Sequence, residues 1–191
     1  MKGGIFQMSE TEHAAMNMGE TCTRDEIMEA IIDEYSDRIL HLTYTYVKNK
    51  STAEDLTQEI FMKCYERFHQ FNGQSSLKTW MYRVASNHCK DYLRSWHYRK
   101  VTFNEKLLAY IPSKAKQVEE QIVDMSEEDT LAKAIMGLPT KYREVIFLYY
   151  YEELSIKEIS NVTGVNRNTM KTRLQRAREL VKEQMIEEEK L

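Results

Sequence analysis

The side chains best suited to chemistry in this sequence are cations and hydrogen-bond donors rather than nucleophiles. Arg167, Asn168, Lys171, Thr172, Gln175 and Arg176 recur at spacings that place them on one face of a helix. Arginine and lysine pair with guanine, asparagine and glutamine with adenine, and threonine with either base edge. Arg173 and Arg178 lie further round the same helix, where the phosphate backbone is the natural partner. Residues 166–182 therefore carry a net charge of +5. A second basic run, residues 78–100, holds Lys78, Arg83, Lys90, Arg94, Arg99 and Lys100 against Asp91, again +5. Within it Arg83, Asn87, Lys90 and Arg94 fall at spacings of four, three and four, a single polar stripe. Residues 117–130, between the two, hold six acidic side chains and no Lys or Arg. Two cationic segments around an acidic spacer suit two contacts with a polyanion. Ordinary solvated helix faces would also produce either basic block alone, so the elements that carry them decide the reading.

The C-terminal block sits in a recognisable frame. Ser155 and Glu158 have the spacing of a capping box, Gly164 can take the left-handed turn that ends a helix, and Asn166 can cap the next. Ile156, Ile159 and Val162 form the inner face of the first helix; Met170, Leu174, Ala177 and Val181 form that of the second. Two short helices joined by a glycine-containing turn are the helix-turn-helix signature, here spanning residues 155–182. Its second helix is shaped to lie in the major groove of duplex DNA. Upstream, Leu131, Ile135 and Leu138 make a short stripe closed by Pro139, and a helix from about Lys141 should turn Val145, Leu148 and Tyr149 inward.

The N-terminal half reads as three helices. The first has the stripe Ile27, Ile31, Tyr35, Ile39, Leu42 and Tyr46. Ser51 and Glu54 offer a capping box for the second, whose stripe is Leu56, Ile60, Cys64, Phe68 and Phe71. After a loop through Ser75 and Ser76, the third turns Leu77, Met81, Val84, His88 and Tyr92 inward. Trp80 is expected in the core rather than as a stacking platform, whereas Trp96, Tyr98 and Arg99 are candidates for contacting a strand edge. The organisation predicted is a flexible leader (residues 1–25), a helical domain (26–100), an acidic linker (101–130), a second helical domain (131–182) and an acidic tail (183–191).

Composition agrees. Two prolines and six glycines in 191 residues leave little punctuation for a β fold, and helix formers dominate, so the fold class is all-α. Cys22, Cys64 and Cys89 are too far apart for a disulfide framework or a zinc site, which favours a reducing compartment. The longest apolar run, Val145–Tyr151, is far below a membrane span. No catalytic constellation, metal site or cofactor motif is evident, and the expectation is a cytoplasmic protein that is not an enzyme.

Two sets of motifs then coincide. Leu138-Pro139-x-x-x-Arg143-x-Val145, Tyr151-x-Glu153-x-Ser155-x-x-Glu158-Ile159, Gly164 and Leu174-x-Arg176-Ala177-Arg178 resemble region 4 of bacterial sigma factors. Asp55-Leu56-x-Gln58-Glu59-x-Phe61 and Phe71-x-Gly73-x-Ser75-Ser76-x-Lys78-Thr79-Trp80, with Tyr82-Arg83, resemble region 2. Both in one chain, with a short linker, are similar to the extracytoplasmic-function class. That resemblance implies an alternative sigma factor, with core RNA polymerase as partner through the β′ coiled-coil and the β flap. It assigns Asp55, Gln58, Glu59 and Phe61 to polymerase docking. It assigns Lys63, Phe71, Ser75, Ser76, Lys78, Arg83, Asn87, Lys90, Asp91, Arg94 and Arg99 to a melted −10 promoter strand, with Lys63, Phe71 and Asn87 around a flipped base. Arg167, Asn168, Lys171, Thr172, Arg173, Gln175 and Arg176 go to the −35 duplex, and a cognate anti-sigma factor, often membrane-bound, is a further implied partner. Asp91 stands where some relatives have Asn, and Gln175 where some have an aromatic. A stand-alone helix-turn-helix regulator with a sensing or dimerising N-terminal domain would share the C-terminal features. It would leave the Asp55–Glu59 face and the basic 78–100 helix without a purpose. An adaptor that binds polymerase without DNA would leave both basic blocks without one.

Overall fold

The structure, a computed structural model, describes residues 23–95 and 127–188. Every regular element among them is helical. Helix α1 (Arg24–Val47) opens with a capping box, Thr23 N–H donating to Glu26 Oε2 at 2.7 Å and Glu26 N–H to Thr23 Oγ1 at 3.3 Å. All six residues of its expected stripe are buried. It ends at Lys48, whose φ of 57° reverses the chain.

Helix α2 (Lys50–Arg67) begins earlier than the Ser51–Glu54 spacing suggests, because Asn49 is the cap and its Oδ1 accepts from Thr52 N–H at 2.9 Å. Asparagine caps as well as serine, and directly after the left-handed Lys48 it starts the helix without a spacer. Leu56, Ile60, Cys64 and Phe68 are buried as expected. A 3-10 turn, Phe68–Gln70, then tightens the chain and leaves Phe71 half-buried, its ring 5.7 Å from that of Trp80. Trp80 is itself half-buried and packs edge-on against Phe68, 6.2 Å away.

Helix α3 (Leu77–Arg94) is capped by Ser76, whose Oγ accepts from Thr79 N–H at 3.1 Å. Its inner face is wider than the sequence stripe. Leu77 and Met81 are buried, but so are Tyr82, Ala85, Ser86 and Cys89, while Val84, His88 and Tyr92 are only half-buried. The cause is that α3 is covered from two sides, by α1 and α2 and by the helix Ile156–Thr163 of the second half.

The second half comprises α4 (Glu127–Gly137), α5 (Thr140–Ile146), a π-helical segment (Phe147–Tyr151), α6 (Ile156–Thr163) and α7 (Arg167–Glu188). The capping box at Ser155 and Glu158 forms, Gly164 is left-handed with φ 71°, and Asn166 Oδ1 accepts from Thr169 N–H at 2.9 Å. Met170, Leu174 and Ala177 are buried and Val181 half-buried, as the spacing predicts. Two expectations shift. Ala134 of α4 and Leu138 just beyond it are buried while Leu131 is exposed. From Arg143 to Leu148, every residue is buried, not one face. An element buried all round must be covered all round, and α5 lies between α7 and α1. The two halves accordingly share one hydrophobic cluster, in which Tyr46 and Tyr82 join Val145 and Leu154. No helix of the described residues is long and apolar enough to cross a membrane.

Candidate nucleic-acid interface

Helix α7 divides cleanly. Its buried side is held by Met170, Leu174 and Ala177, and Arg167, Asn168, Lys171, Thr172, Gln175 and Arg176 are exposed on the opposite side. These donors project from a helix capped at its N-terminus by Asn166 and seated on the core, which sets the face they present. Thr172 Oγ1 donates to Asn168 O at 3.1 Å, Gln175 to Glu179 at 3.3 Å, and Arg176 pairs with Glu179 at 3.0 Å and Glu183 at 3.2 Å. Arg173 is half-buried beside Tyr142 in a shallow cleft of about 320 Å³. Arg178 departs from the expectation that it meets phosphate. Two residues from Arg176 is roughly half a turn, which aims Arg178 at Tyr149 and Tyr150, 5.5 Å from each ring, with Nε donating to the Tyr150 hydroxyl at 2.7 Å. There it borders an apolar groove of about 540 Å³ lined by Leu131, Ile135, Ile146, Tyr150, Val181 and Ile186. Leu131 is exposed because it belongs to this groove, a surface that periodicity alone did not reveal.

In the first half, Ser75, Trp80, Arg83 and Asn87 line one wall of a polar cleft of about 900 Å³, whose other wall is the α6–α7 turn with Asn161, Gly164 and Asn166. Lys63 and Phe71 are half-buried and do not line it, and Ser76 is committed to capping α3. Asp91 and Arg94 are mostly exposed and 3.9 Å apart. Arg99, with Trp96 and Tyr98, lies outside the described residues, as does most of the leader and acidic linker.

Lys90, expected on the polar stripe of α3, and Lys78, assigned to the −10 strand by the resemblance, both meet acids of the second half. Lys90 sits on the flank of α3 nearest Ser86 and Cys89, and its Nζ lies 2.8 Å from Glu144 Oε1 of α5. The same carboxylate accepts from the Tyr46 hydroxyl at 2.6 Å. Lys78 Nζ lies 3.2 Å from Glu152 Oε2 and donates to the Glu152 carbonyl at 2.7 Å, with Arg38 3.6 Å from the carboxylate. The Glu144 and Glu152 side chains are only 4% and 3% exposed. Burial, and after it the neighbouring carboxylate, pushes the Tyr46 and Tyr82 hydroxyls well above the usual phenol range. Arg143 is buried alongside. It donates through Nε to Thr45 O at 2.6 Å, through Nη1 to Leu138 O, and through Nη2 to Tyr46 O at 3.4 Å, stitching α5 to the end of α1. Sequence reasoning missed this network. The one available signal was that acids flank an apolar run too long to have a wet side.

On α2, Asp55, Gln58 and Glu59 are exposed, Glu59 pairing with His88 Nε2 at 2.8 Å. Phe61 does not belong with them: it is 8% exposed and turned into the core, two residues from Glu59 and so on the opposite side of the helix. The side chain that continues the face is Met62, seven residues from Asp55 and 65% exposed. Among the described residues no cluster of His, Cys, Asp and Glu is arranged to hold a metal ion.

Residues 31–98 match the family model for Sigma-70 region 2, and residues 128–181 that for Sigma-70, region 4. Among curated proteins, the ECF RNA polymerase sigma factor SigW of Bacillus subtilis is 35% identical over 162 residues, 81% of this chain and 87% of that protein. SigM of the same organism is 34% identical over 160 residues, 84% and 93% of the two chains. Among solved structures, the sigma factor RpoE of Bartonella quintana, crystallised with the anti-sigma factor NepR, superposes with a TM-score of 0.66 at 20% identity. The match covers 85% of this chain and 98% of RpoE, a likeness of fold.

Proposed function

The chain belongs to the extracytoplasmic-function class of the sigma-70 family, a premise from which we propose how its two halves divide the work of transcription initiation. It is an alternative sigma factor, and the chemistry of RNA synthesis belongs to the polymerase it directs. Residues 131–182 form the −35 reader. The observation that carries this is the exposed Arg167–Arg176 face on a capped helix-turn-helix, with its donors aimed away from the core. Residues 26–100 take the −10 strand, for which the Ser75–Trp80–Arg83–Asn87 wall offers stacking surface, amide and charge together. The Asp55, Gln58, Glu59 and Met62 face docks on the β′ coiled-coil, Met62 supplying the apolar anchor that a polar patch otherwise lacks. The apolar groove rimmed by Arg178 and Lys182 suits an amphipathic partner helix and is assigned to the β flap, with a cognate anti-sigma factor as its competitor. The working compartment is the cytoplasm, where core polymerase is.

In vitro transcription with bacterial core enzyme tests this reading. Initiation from genomic promoter fragments only when this chain is added is the expected result. Failure on every fragment, together with a footprint on DNA in the absence of core, would instead make the chain a stand-alone regulator.

A further inference from the structure

On the α2 face proposed for polymerase docking, one polar side chain is braced and the others are not. Asp55 and Gln58 are exposed and, among the described residues, make no side-chain hydrogen bond or ion pair. Glu59 differs: its Oε2 lies 2.8 Å from Nε2 of His88, which reaches across from α3. We propose that His88 is a positioning residue for docking, holding the Glu59 carboxylate in one orientation so that its free Oε1 meets a cation of the polymerase. The inference rests on the reading of the α2 face as the docking surface.

Three properties of the pair carry it. The His88 side chain is only 10% exposed, whereas that of Glu59 is 56% exposed. The histidine is thus fixed by the packing of α3 on α2, while the acid it holds stands on the open side. The direction of the hydrogen bond is also settled. An ionised carboxylate can only accept, so Nε2 carries the proton and donates. The ring's other nitrogen, Nδ1, is buried without a hydrogen-bond partner, which leaves Glu59 as the ring's single polar contact among the described residues. Finally, glutamate is among the side chains that lose most rotamer freedom when ordered. An acid already ordered by its own protein gives up less on binding than one that the partner must order. Asp55 and Gln58 have no such brace, so the face presents one preset charge among adaptable neighbours.

The test measures affinity for bacterial core polymerase by competition against the full chain labelled on Cys22, with a urea midpoint for every variant. His88→Leu keeps the bulk and removes the donor; it should weaken binding about fivefold, the scale of ordering one long side chain. His88→Gln can donate from nearly the same place and should stay within about twofold of the unsubstituted chain. On a Glu59→Ala background, His88→Leu should cost nothing further, because the side chain it positions is gone. Unchanged affinity in His88→Leu would overturn the proposal, as would a loss of the same size with Glu59 absent. Equal losses in the Leu and Gln variants at native midpoints would overturn it too. Where a midpoint falls, the Glu59→Ala background decides, since a folding defect persists without Glu59 and a positioning defect does not. Glu59→Ala alone checks the premise. Undiminished binding there would remove the docking reading itself, whereas weakened binding beside an unaffected His88→Leu would sink only the role of His88.

Discussion

Helices α3 and α7 present cations of the same kinds in different company. On α7, Arg167 and Lys171 reach into solvent, and the ion pairs of Arg176 are to Glu179 and Glu183 on its own helix. On α3, Lys78 and Lys90 are about three-quarters buried and held by acids of the other half. Exposed i,i+3 pairs are worth at most about 1 kcal/mol and yield to a phosphate by rotamer change alone. A pair closed across two halves yields only when the halves move. Net charge says how many cations a segment offers; the partner of each cation decides whether DNA can use it.

The largest effect that would break this contrast is at Arg143, which ties α5 to α1 by donating to buried carbonyls. Arg143→Met leaves those acceptors without a donor and should lower unfolding free energy by about 3 kcal/mol, read as a drop in the urea midpoint. A midpoint unchanged within error would mean that Arg143 does not brace the boundary. Next come the α7 donors. Lys171→Ala should cost about 1–3 kcal/mol of −35 duplex affinity if the ammonium meets a base edge. Arg176→Ala should cost less, because its guanidinium must first leave two carboxylates. Fluorescence anisotropy on one duplex ranks the two, and the reverse order would show that the acidic pairs orient Arg176 rather than restrain it. Asn87→Ala should weaken open-complex formation, scored by permanganate footprinting, more than −35 binding. Equal losses would take Asn87 out of the strand pocket. The smallest effect concerns thiols. Burial pushes the Cys64 and Cys89 thiols up to about 12, and a raised thiol pKa means the neutral form persists as pH rises. Neither should be alkylated at pH 8 in the native chain, and both should react once it is unfolded. Native modification of Cys89 would mean that α3 frays from its neighbours.

Much of the scaffold was legible in the sequence because local rules sufficed for it. The α1 stripe, the Ser155–Glu158 box, the Gly164 turn and the exposed α7 face all follow from spacing and capping. The all-helical class follows from composition. Legibility failed wherever a residue faces something distant in sequence. Asn49 displaced Ser51 as a cap because the preceding residue is left-handed. Phe61 turned inward although its motif neighbours face out, since a motif gives order along the chain and not direction around a helix. Arg143, Glu144 and Glu152 are buried although charged, because the other half of the molecule covers them, and no local spacing marks that. The same fact redirected Lys78 and Lys90, two residues assigned to the strand site, whose side chains are largely covered.

Lysine acylation followed by mass spectrometry measures that accessibility directly. In the free chain Lys171 should be modified quickly and Lys78 and Lys90 slowly, and Glu144→Gln/Glu152→Gln should speed the last two while leaving Lys171 unchanged. Equal rates at all three lysines in the free chain, or rates at Lys78 and Lys90 indifferent to the two substitutions, would contradict a strand reader covered by its own second half.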